Sequence, residues 1–256
     1  MKDTANKYTY LCKNTAIFAV SSFSTKILSF LFIPIYTAVL STIEYGTADL
    51  INTTGVLLIY ILTINIADSV LRFSIEKVED SEKILSFGVK VLFVGAIICA
   101  LLLGFACYIE LYNWPKIFYV FIFLFFVSSA FYQIVTNYLR GIDKVSAVAV
   151  SGVISSGIII GSNILFLVVI KLGILGYLIS MVTGPIVASI YCVFEAKKTI
   201  RQMFFSKLEK VTQIGMLKYC IPLIFNNIAL WINGSLDKYF ITGICGAAET
   251  GIYSVA

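Results

Sequence analysis

The sequence predicts an all-α protein built as a bundle of membrane-spanning helices, and three observations support that prediction. Its 256 residues are 59% hydrophobic and 13% charged, whereas soluble domains are about 25% charged. Apolar runs follow one another along the chain, and each is long enough to cross a bilayer, which takes about 20 helical residues. Because lipid offers the backbone no hydrogen bonds, each crossing segment is expected to be a helix.

Seven runs are predicted to span the membrane, over residues 14–40, 48–71, 84–109, 116–139, 146–170, 173–194 and 216–245. An eighth run begins just before residue 256. We therefore expect a six-helix lobe over residues 1–195, a basic linker over 196–215, and the start of a second lobe over 216–256. On this interpretation the sequence is a truncated part of a longer protein.

The orientation follows from the lysines and arginines. Fifteen of the 19 lie in the N-terminal segment or in the even-numbered loops between spans, while only Lys116 and Lys171 lie in the odd-numbered loops. The excess of positive charge on one side predicts a cytoplasmic N-terminus. The linker is either a helix lying on an anionic leaflet or a hinge between two bundles. Since the basic residues are spread over four segments, we expect no nucleic-acid partner.

Residue types bearing on catalysis are scarce. The sequence has no histidine, which removes the commonest general base and metal ligand. Its six cysteines are scattered without a CxxC pair. No nucleophile supported by a base and no phosphate-binding glycine loop is recognisable. We therefore expect no metal, no cofactor, no catalytic residue and no enzymatic activity.

An internal repeat links two parts of the chain at an offset of 205 residues. Residues 40–50 read LSTIEYGTADL and residues 245–256 read CGAAETGIYSVA, so Glu44 and Gly46 superpose on Glu249 and Gly251. Each segment follows a long span that contains a lysine. Repeated halves are typical of secondary transporters, which hold substrate between the halves. The repeat predicts a protein with two related lobes.

Charged residues inside the spans are the candidate binding groups: Lys26, Arg72, Asp237 and Lys238. A charge at a helix centre costs about 2.5–3.5 kcal/mol on insertion scales, so each of them needs a partner or a role. Lys26 is either an anchor for an anionic substrate or half of an ion pair between helices. Asp237 and Lys238 are adjacent and therefore point to different faces of their helix.

Other polar residues in the spans are interpreted structurally. Asp68 and Arg72 stand four residues apart, where they can pair on one helix face, and Asn65 extends that face. Asp49 is expected to cap its helix or to lie at the interface. Two further patterns concern the backbone. Pro34, Pro185 and Pro222 can kink or break their spans, and Gly157 and Gly161 form a GxxxG pair that favours close helix contact.

Four segments carry a resemblance to a known family: EYGTADLINTTGVLL (44–58), DSVLRFSIE (68–76), YLRGIDKVSAVAV (138–150) and LKYCIPLIFNNIALWINGSLDKYFI (217–241). The chain resembles Wzx-type oligosaccharide flippases, the polysaccharide biosynthesis or export proteins of the multidrug/oligosaccharidyl-lipid/polysaccharide superfamily. The resemblance implies a MATE-like fold of twelve to fourteen helices in two lobes, of which this sequence holds the first six-helix lobe, the seventh helix and the start of the eighth.

The same resemblance implies a function. Such proteins move an undecaprenyl-pyrophosphate-linked oligosaccharide across the bacterial cytoplasmic membrane by alternating access, for surface polysaccharide biosynthesis. Their cavity is cationic, and Lys26, Arg72 and Lys238 are the matching basic positions, although lysine stands at 238 where the family often has arginine. Membrane lipids and polysaccharide polymerase or assembly proteins are the partners implied.

Two alternatives stay open at the sequence level. An ion-coupled multidrug exporter of the same superfamily would need acidic groups for cationic cargo, and Asp237 supports it. An inactive half-transporter, acting as a membrane scaffold, would follow from an incomplete second lobe. Lys26 and Lys238 favour the flippase over the exporter.

Overall fold

The computed structural model describes Pro34, Tyr36 and residues 38–110, 114–196 and 207–255. These residues form eight α-helices and no strand: α1 Thr42–Leu62, α2 Ile66–Glu76, α3 Ser81–Tyr108, α4 Lys116–Gly141, α5 Val145–Asn163, α6 Ile174–Glu195, α7 Lys210–Cys245 and α8 Ala247–Val255. A 3-10 turn, Val78–Asp80, precedes α3, and a π-helical segment, Ile164–Val169, extends α5. The predicted all-α membrane bundle is confirmed.

Six of the helical segments described are long and apolar enough to cross a membrane: Thr42–Leu62, Val78–Tyr108, Lys116–Gly141, Val145–Val169, Ile174–Glu195 and Lys210–Cys245. They correspond to the second through seventh predicted spans. The first predicted span lies almost wholly outside the described residues, and so do Lys26 and most of the predicted linker. Helix α7 begins at Lys210, inside the segment assigned to that linker.

The second span is broken, which corrects the prediction of one continuous helix over 48–71. Helix α1 ends at Leu62, Ile64 and Asn65 adopt left-handed backbone angles of φ 54° and 53°, and α2 then starts at Ile66. The left-handed conformation costs a β-branched residue such as Ile64 about 1–2 kcal/mol. By contrast Pro185 and Pro222 lie inside uninterrupted α6 and α7, so neither proline ends its helix.

Helix α4 is the centre of the bundle and contacts α1, α2, α3, α5 and α6. Its buried residues include Phe126, Ile134 and Tyr138, which belong to one large apolar core shared with α2, α3 and the first half of α7. A second apolar core joins α1, α4 and α6 around Ile51 and Ile122. Helix α3 instead exposes a wide apolar face, as expected for a span that meets lipid.

The GxxxG prediction is wrong for the helices described. A methyl group added at Gly157 or Gly161 would meet nothing within 4 Å, so no described helix packs closely on that face of α5. Among the glycines that the structure describes, the shortest distances to another helix's backbone occur at Gly46 of α1 and Gly251 of α8, the two glycines that the repeat relates. Close packing therefore depends on which small residues face a neighbouring helix, and spacing alone does not reveal that.

Candidate functional site

Helix α1 begins at a capping box. The Glu44 N–H donates to Ser41 Oγ (3.3 Å), and the Ser41 N–H donates to Glu44 Oε2 (2.9 Å). This pair satisfies backbone donors that the first helical turn leaves open, and so fixes where α1 starts. Asp49 is therefore not the cap. It lies two turns into the helix, about 10 Å from Thr42 at helical rise.

The start of α1 crosses α8 at very short range. A Cβ atom at Gly46 would lie 2.2 Å from the Ala247 carbonyl oxygen, and one at Gly251 would lie 2.0 Å from the Thr42 carbonyl oxygen. Positions 42 and 46 are related to 247 and 251 by the repeat offset of 205. The two repeated segments thus contact each other reciprocally, as around a local two-fold axis.

One ion pair joins α1 to α7 beside this crossing. The Lys238 Nζ atom lies 2.7 Å from Asp49 Oδ2, and each side chain is 19% exposed. Ser254 Oγ of α8 donates to the same carboxylate oxygen at 2.7 Å. Asp49 therefore connects three helices, and the expectation that it caps its helix is wrong. Its bond with Ser254 again spans an offset of 205 residues.

Asp237 binds different partners from its neighbour. Its Oδ1 accepts the Lys238 backbone N–H at 2.9 Å, and its Oδ2 accepts a short hydrogen bond from the Tyr253 hydroxyl of α8. Asp237 and Lys238 thus do not pair through their side chains, as their adjacency predicts. We call Asp49, Asp237, Lys238, Tyr253 and Ser254 the three-helix cluster. Among the described residues it contains two carboxyl groups and one ammonium group.

Two uncharged contacts hold α7 against α1 next to the three-helix cluster. Trp231 Nε1 donates to the Thr53 carbonyl oxygen at 3.0 Å, and the Tyr239 hydroxyl lies 2.7 Å from Thr54 Oγ1. The Trp231 and Tyr239 rings also contact each other, with centroids 5.6 Å apart. The second half of α7 is therefore fixed on α1 by directed bonds.

Arg72 belongs to α2 and packs against the first half of α7. Its Nε donates to Glu76 at 2.9 Å and its guanidinium carbon lies 4.5 Å from the centre of the Tyr219 ring, a cation–π contact. The Arg72 side chain is 49% exposed, and the bond to Glu76 raises the pKa of its guanidinium. Tyr219 precedes Lys238 by 19 residues, about 28 Å along the helix. Arg72 and Lys238 therefore belong to separate sites.

The expected pair between Asp68 and Arg72 does not form. Asp68 instead accepts hydrogen bonds from the side-chain amides of Asn65 (2.6 Å) and Asn137 (3.3 Å). Arg140 donates to the Asn137 amide oxygen at 3.2 Å. This polar network joins α2 to α4 at the break after α1. Sequence reasoning grouped Asn65 with Asp68 but missed Asn137 and Arg140, because only tertiary packing brings α4 alongside.

Helix α2 is also bound to the first half of α7. Lys77 Nζ donates to Thr212 Oγ1 at 2.8 Å, and Ser69 Oγ donates to the Met216 carbonyl oxygen at 3.3 Å. Helix α7 thus contacts α2 along one half and α1 along the other. The break at Ile64 and Asn65 separates the two sets of contacts.

The described part of the chain shows two further properties of the site. No three His, Cys, Asp or Glu residues stand together there as a metal site would require. A small cleft between α1, α4 and α6 is lined mostly by apolar side chains, including Ile51, Phe125 and Met181, with Asn52 at its edge.

The helices and their charged junctions define a polytopic membrane protein in which two repeated segments cross beside an ion pair. The chain matches the polysaccharide biosynthesis protein family over residues 11–256, and it belongs to that family. No curated protein and no solved structure matches the chain.

Proposed function

We propose that the protein is a flippase that moves a lipid-linked oligosaccharide, with undecaprenyl pyrophosphate as the lipid, from the cytoplasmic to the outer leaflet of the bacterial cytoplasmic membrane. Membership of the polysaccharide biosynthesis family supports a role in making surface glycans. The positive-inside pattern would place the N-terminus, Glu76 and the start of α7 in the cytoplasm, and the three-helix cluster toward the outside.

The separation of the basic groups along α7 supports this proposal most directly. Tyr219, on which Arg72 of α2 packs, and Lys238 stand about 28 Å apart along α7, close to the roughly 30 Å thickness of the hydrocarbon core. Unpaired transfer of a charged group through hydrocarbon costs tens of kcal/mol. A diphosphate that leaves one basic group and reaches the other would therefore meet a positive charge near each leaflet.

The candidate residues take different roles in this proposal. Arg72 suits the first encounter with the diphosphate, because a guanidinium can donate two parallel hydrogen bonds to phosphate oxygens. Lys238 would receive the diphosphate near the outer leaflet, and Lys26 is the third basic candidate. Asp237 would hold Tyr253 and so keep α8 beside Lys238. No covalent step is part of the proposal.

Complementation tests the proposal. The gene that encodes this chain is expressed in bacteria that lack their own polysaccharide flippase. Surface glycan is then measured in strains whose membranes contain equal amounts of each variant. We expect the unmodified protein to restore glycan and Lys238→Met to lose most of it, because methionine keeps the length of the side chain without its charge. The matched control is Lys83→Met, which removes a lysine from an exposed pair with Asp80 (2.7 Å) far from the site. Equal activity of both variants would refute the role of Lys238.

One observation favours a second candidate. The three-helix cluster has two carboxyl groups for one ammonium group, and acidic groups suit cationic cargo better than a diphosphate. A multidrug exporter of the same superfamily would use Asp237 to bind that cargo. Drug resistance without restored glycan, lost on Asp237→Asn, would support the exporter and contradict the flippase.

A further inference from the structure

Lys238, the residue proposed to bind the diphosphate near the outer leaflet, already forms an ion pair with Asp49. Lys238 Nζ lies 2.7 Å from Asp49 Oδ2, and the carboxylate comes from α1. With both side chains 19% exposed, the pair is neither fully buried nor freely solvated. The ammonium group has three N–H donors, so a phosphate group can approach Lys238 beside Asp49 and compete with it for the charge.

We propose that the diphosphate exchanges with Asp49 for the Lys238 ammonium, and that this exchange loosens α1 from α7. The inference rests on the proposed function, because it takes a diphosphate as the ligand. It adds a role for Asp49, a residue that the sequence placed at a cap or interface. Asp49 acts as a counter-ion that substrate displaces, so binding and helix separation become one event.

The exchange is physically balanced. A phosphate oxygen replaces a carboxylate oxygen at the same ammonium group, so the number of charge-assisted hydrogen bonds to Lys238 is conserved. The displaced Asp49 keeps a donor in Ser254 Oγ, now 2.7 Å away, and gains water through its exposed edge. Asp237 is a poor substitute counter-ion, because adjacent residues of a helix point to different faces.

The effect of the exchange on α1 depends on the other contacts that α1 makes with α7 and α8 near Asp49. At the crossing of α1 and α8, Gly46 and Gly251 supply no side chain, so that contact consists of backbone packing and dispersion. The Asp49 carboxylate is the charged bridge on the same side, bound to α7 through Lys238 and to α8 through Ser254. Loss of the ion pair therefore removes the charged link between α1 and α7 and leaves the uncharged bonds of Trp231 and Tyr239 to α1.

The binding test uses purified protein in lipid nanodiscs with farnesyl diphosphate as the probe, and inorganic pyrophosphate as a parallel arm. Asp49→Asn is expected to bind farnesyl diphosphate about tenfold more tightly than the unmodified protein, because the competing carboxylate is gone. Asp49→Glu, which can restore the pair, should stay near the unmodified value. Lys238→Met should bind at least tenfold more weakly. A gain with farnesyl diphosphate alone identifies a lipid headgroup as the ligand, and an equal gain with pyrophosphate identifies a free anion.

Asp237→Asn is the matched control, since it removes a neighbouring carboxyl group that does not pair with the ammonium. The exchange predicts a clearly smaller gain for it than for Asp49→Asn. Equal gains from both variants would show only a general effect of charge and would overturn the inference. So would an unchanged affinity in Asp49→Asn.

A distance measurement tests helix release in the protein with Asp49 intact. Nitroxide labels at Ile43 of α1 and Ile244 of α7, which are 58% and 82% exposed, report the separation by pulsed electron resonance after the native cysteines are replaced. Farnesyl diphosphate should add a longer distance that Lys238→Met abolishes. Tight binding with an unchanged distance would overturn the release while leaving the flippase intact. Failure to bind in every variant, together with failed complementation, would instead refute the proposed function.

Discussion

The crossing of α1 and α8 gives a quantitative test of the structure, through Gly46→Ala. The added Cβ would stand 2.2 Å from the Ala247 carbonyl oxygen and 2.7 Å from the Gly251 nitrogen. Ordinary C···O contacts begin near about 3.3 Å, so the two helices must separate by about 1 Å. Both obstructing atoms belong to the backbone, and no side-chain rotation can relieve the clash.

The magnitude follows from two opposing effects. Overpacking of this kind costs about 3 kcal/mol, the upper part of the usual range, because backbone must move. Alanine in a helix interior recovers about 1 kcal/mol relative to glycine. The expected net loss in the free energy of unfolding is about 2 kcal/mol, and Gly251→Ala should match it because its Cβ would lie 2.0 Å from the Thr42 oxygen.

Thermal unfolding in nanodiscs, followed by circular dichroism, measures the change. Gly157→Ala is the matched control, since its Cβ would meet nothing within 4 Å, and it should be as stable as the unmodified protein or slightly more stable. The difference between the two variants is then about 2–3 kcal/mol. If Gly46→Ala and Gly157→Ala melt together, the reciprocal contact of the repeated segments is not present in the membrane.

Three further predictions use the same unfolding assay. Ile64→Gly should be about 1 kcal/mol more stable than Ile64→Ala, the reverse of the helical order, because only glycine relaxes at φ 54°; the normal order would argue against the break. Trp231→Phe should lose about 1 kcal/mol with the bond to the Thr53 oxygen, and no loss would place the indole elsewhere. Asn137→Leu should cost about 2 kcal/mol, since the amide joins Asp68 to Arg140; a neutral effect would contradict that network.

Hydropathy alone was sufficient to predict the all-α bundle and six of its spans, because lipid makes length and apolar composition decisive. It could not predict the break at Ile64 and Asn65. No proline or glycine marks that point, and the network from Asn65 through Asp68 to Asn137 depends on α4, which lies far away in sequence. Pro185 and Pro222 instead suggested kinks or breaks, yet α6 and α7 continue through them.

The candidate site was only partly predictable for a related reason. Lys238 and Asp237 were identifiable because a charge within an apolar run needs an explanation. The partner of Lys238 was not, since Asp49 is 189 residues away and local reasoning treats it as a cap. The repeat was the one signal that connected these regions, and Gly46 and Gly251 lie where the two segments touch. To predict the partner of Lys238, one must know which faces of α1 and α7 meet, and the positions of the residues along the chain do not give this.

The length of α7 has a mechanical consequence. Its 36 residues extend about 54 Å, well beyond a hydrocarbon core of about 30 Å. A stiff rod of that size amplifies small rotations. Pivoting by about 10° near Lys238 would sweep the Lys210 tip, about 42 Å away, through about 7 Å. A small rotation of α7 about Lys238 would thus become a large displacement at its Lys210 end, where Lys77 donates a hydrogen bond to Thr212.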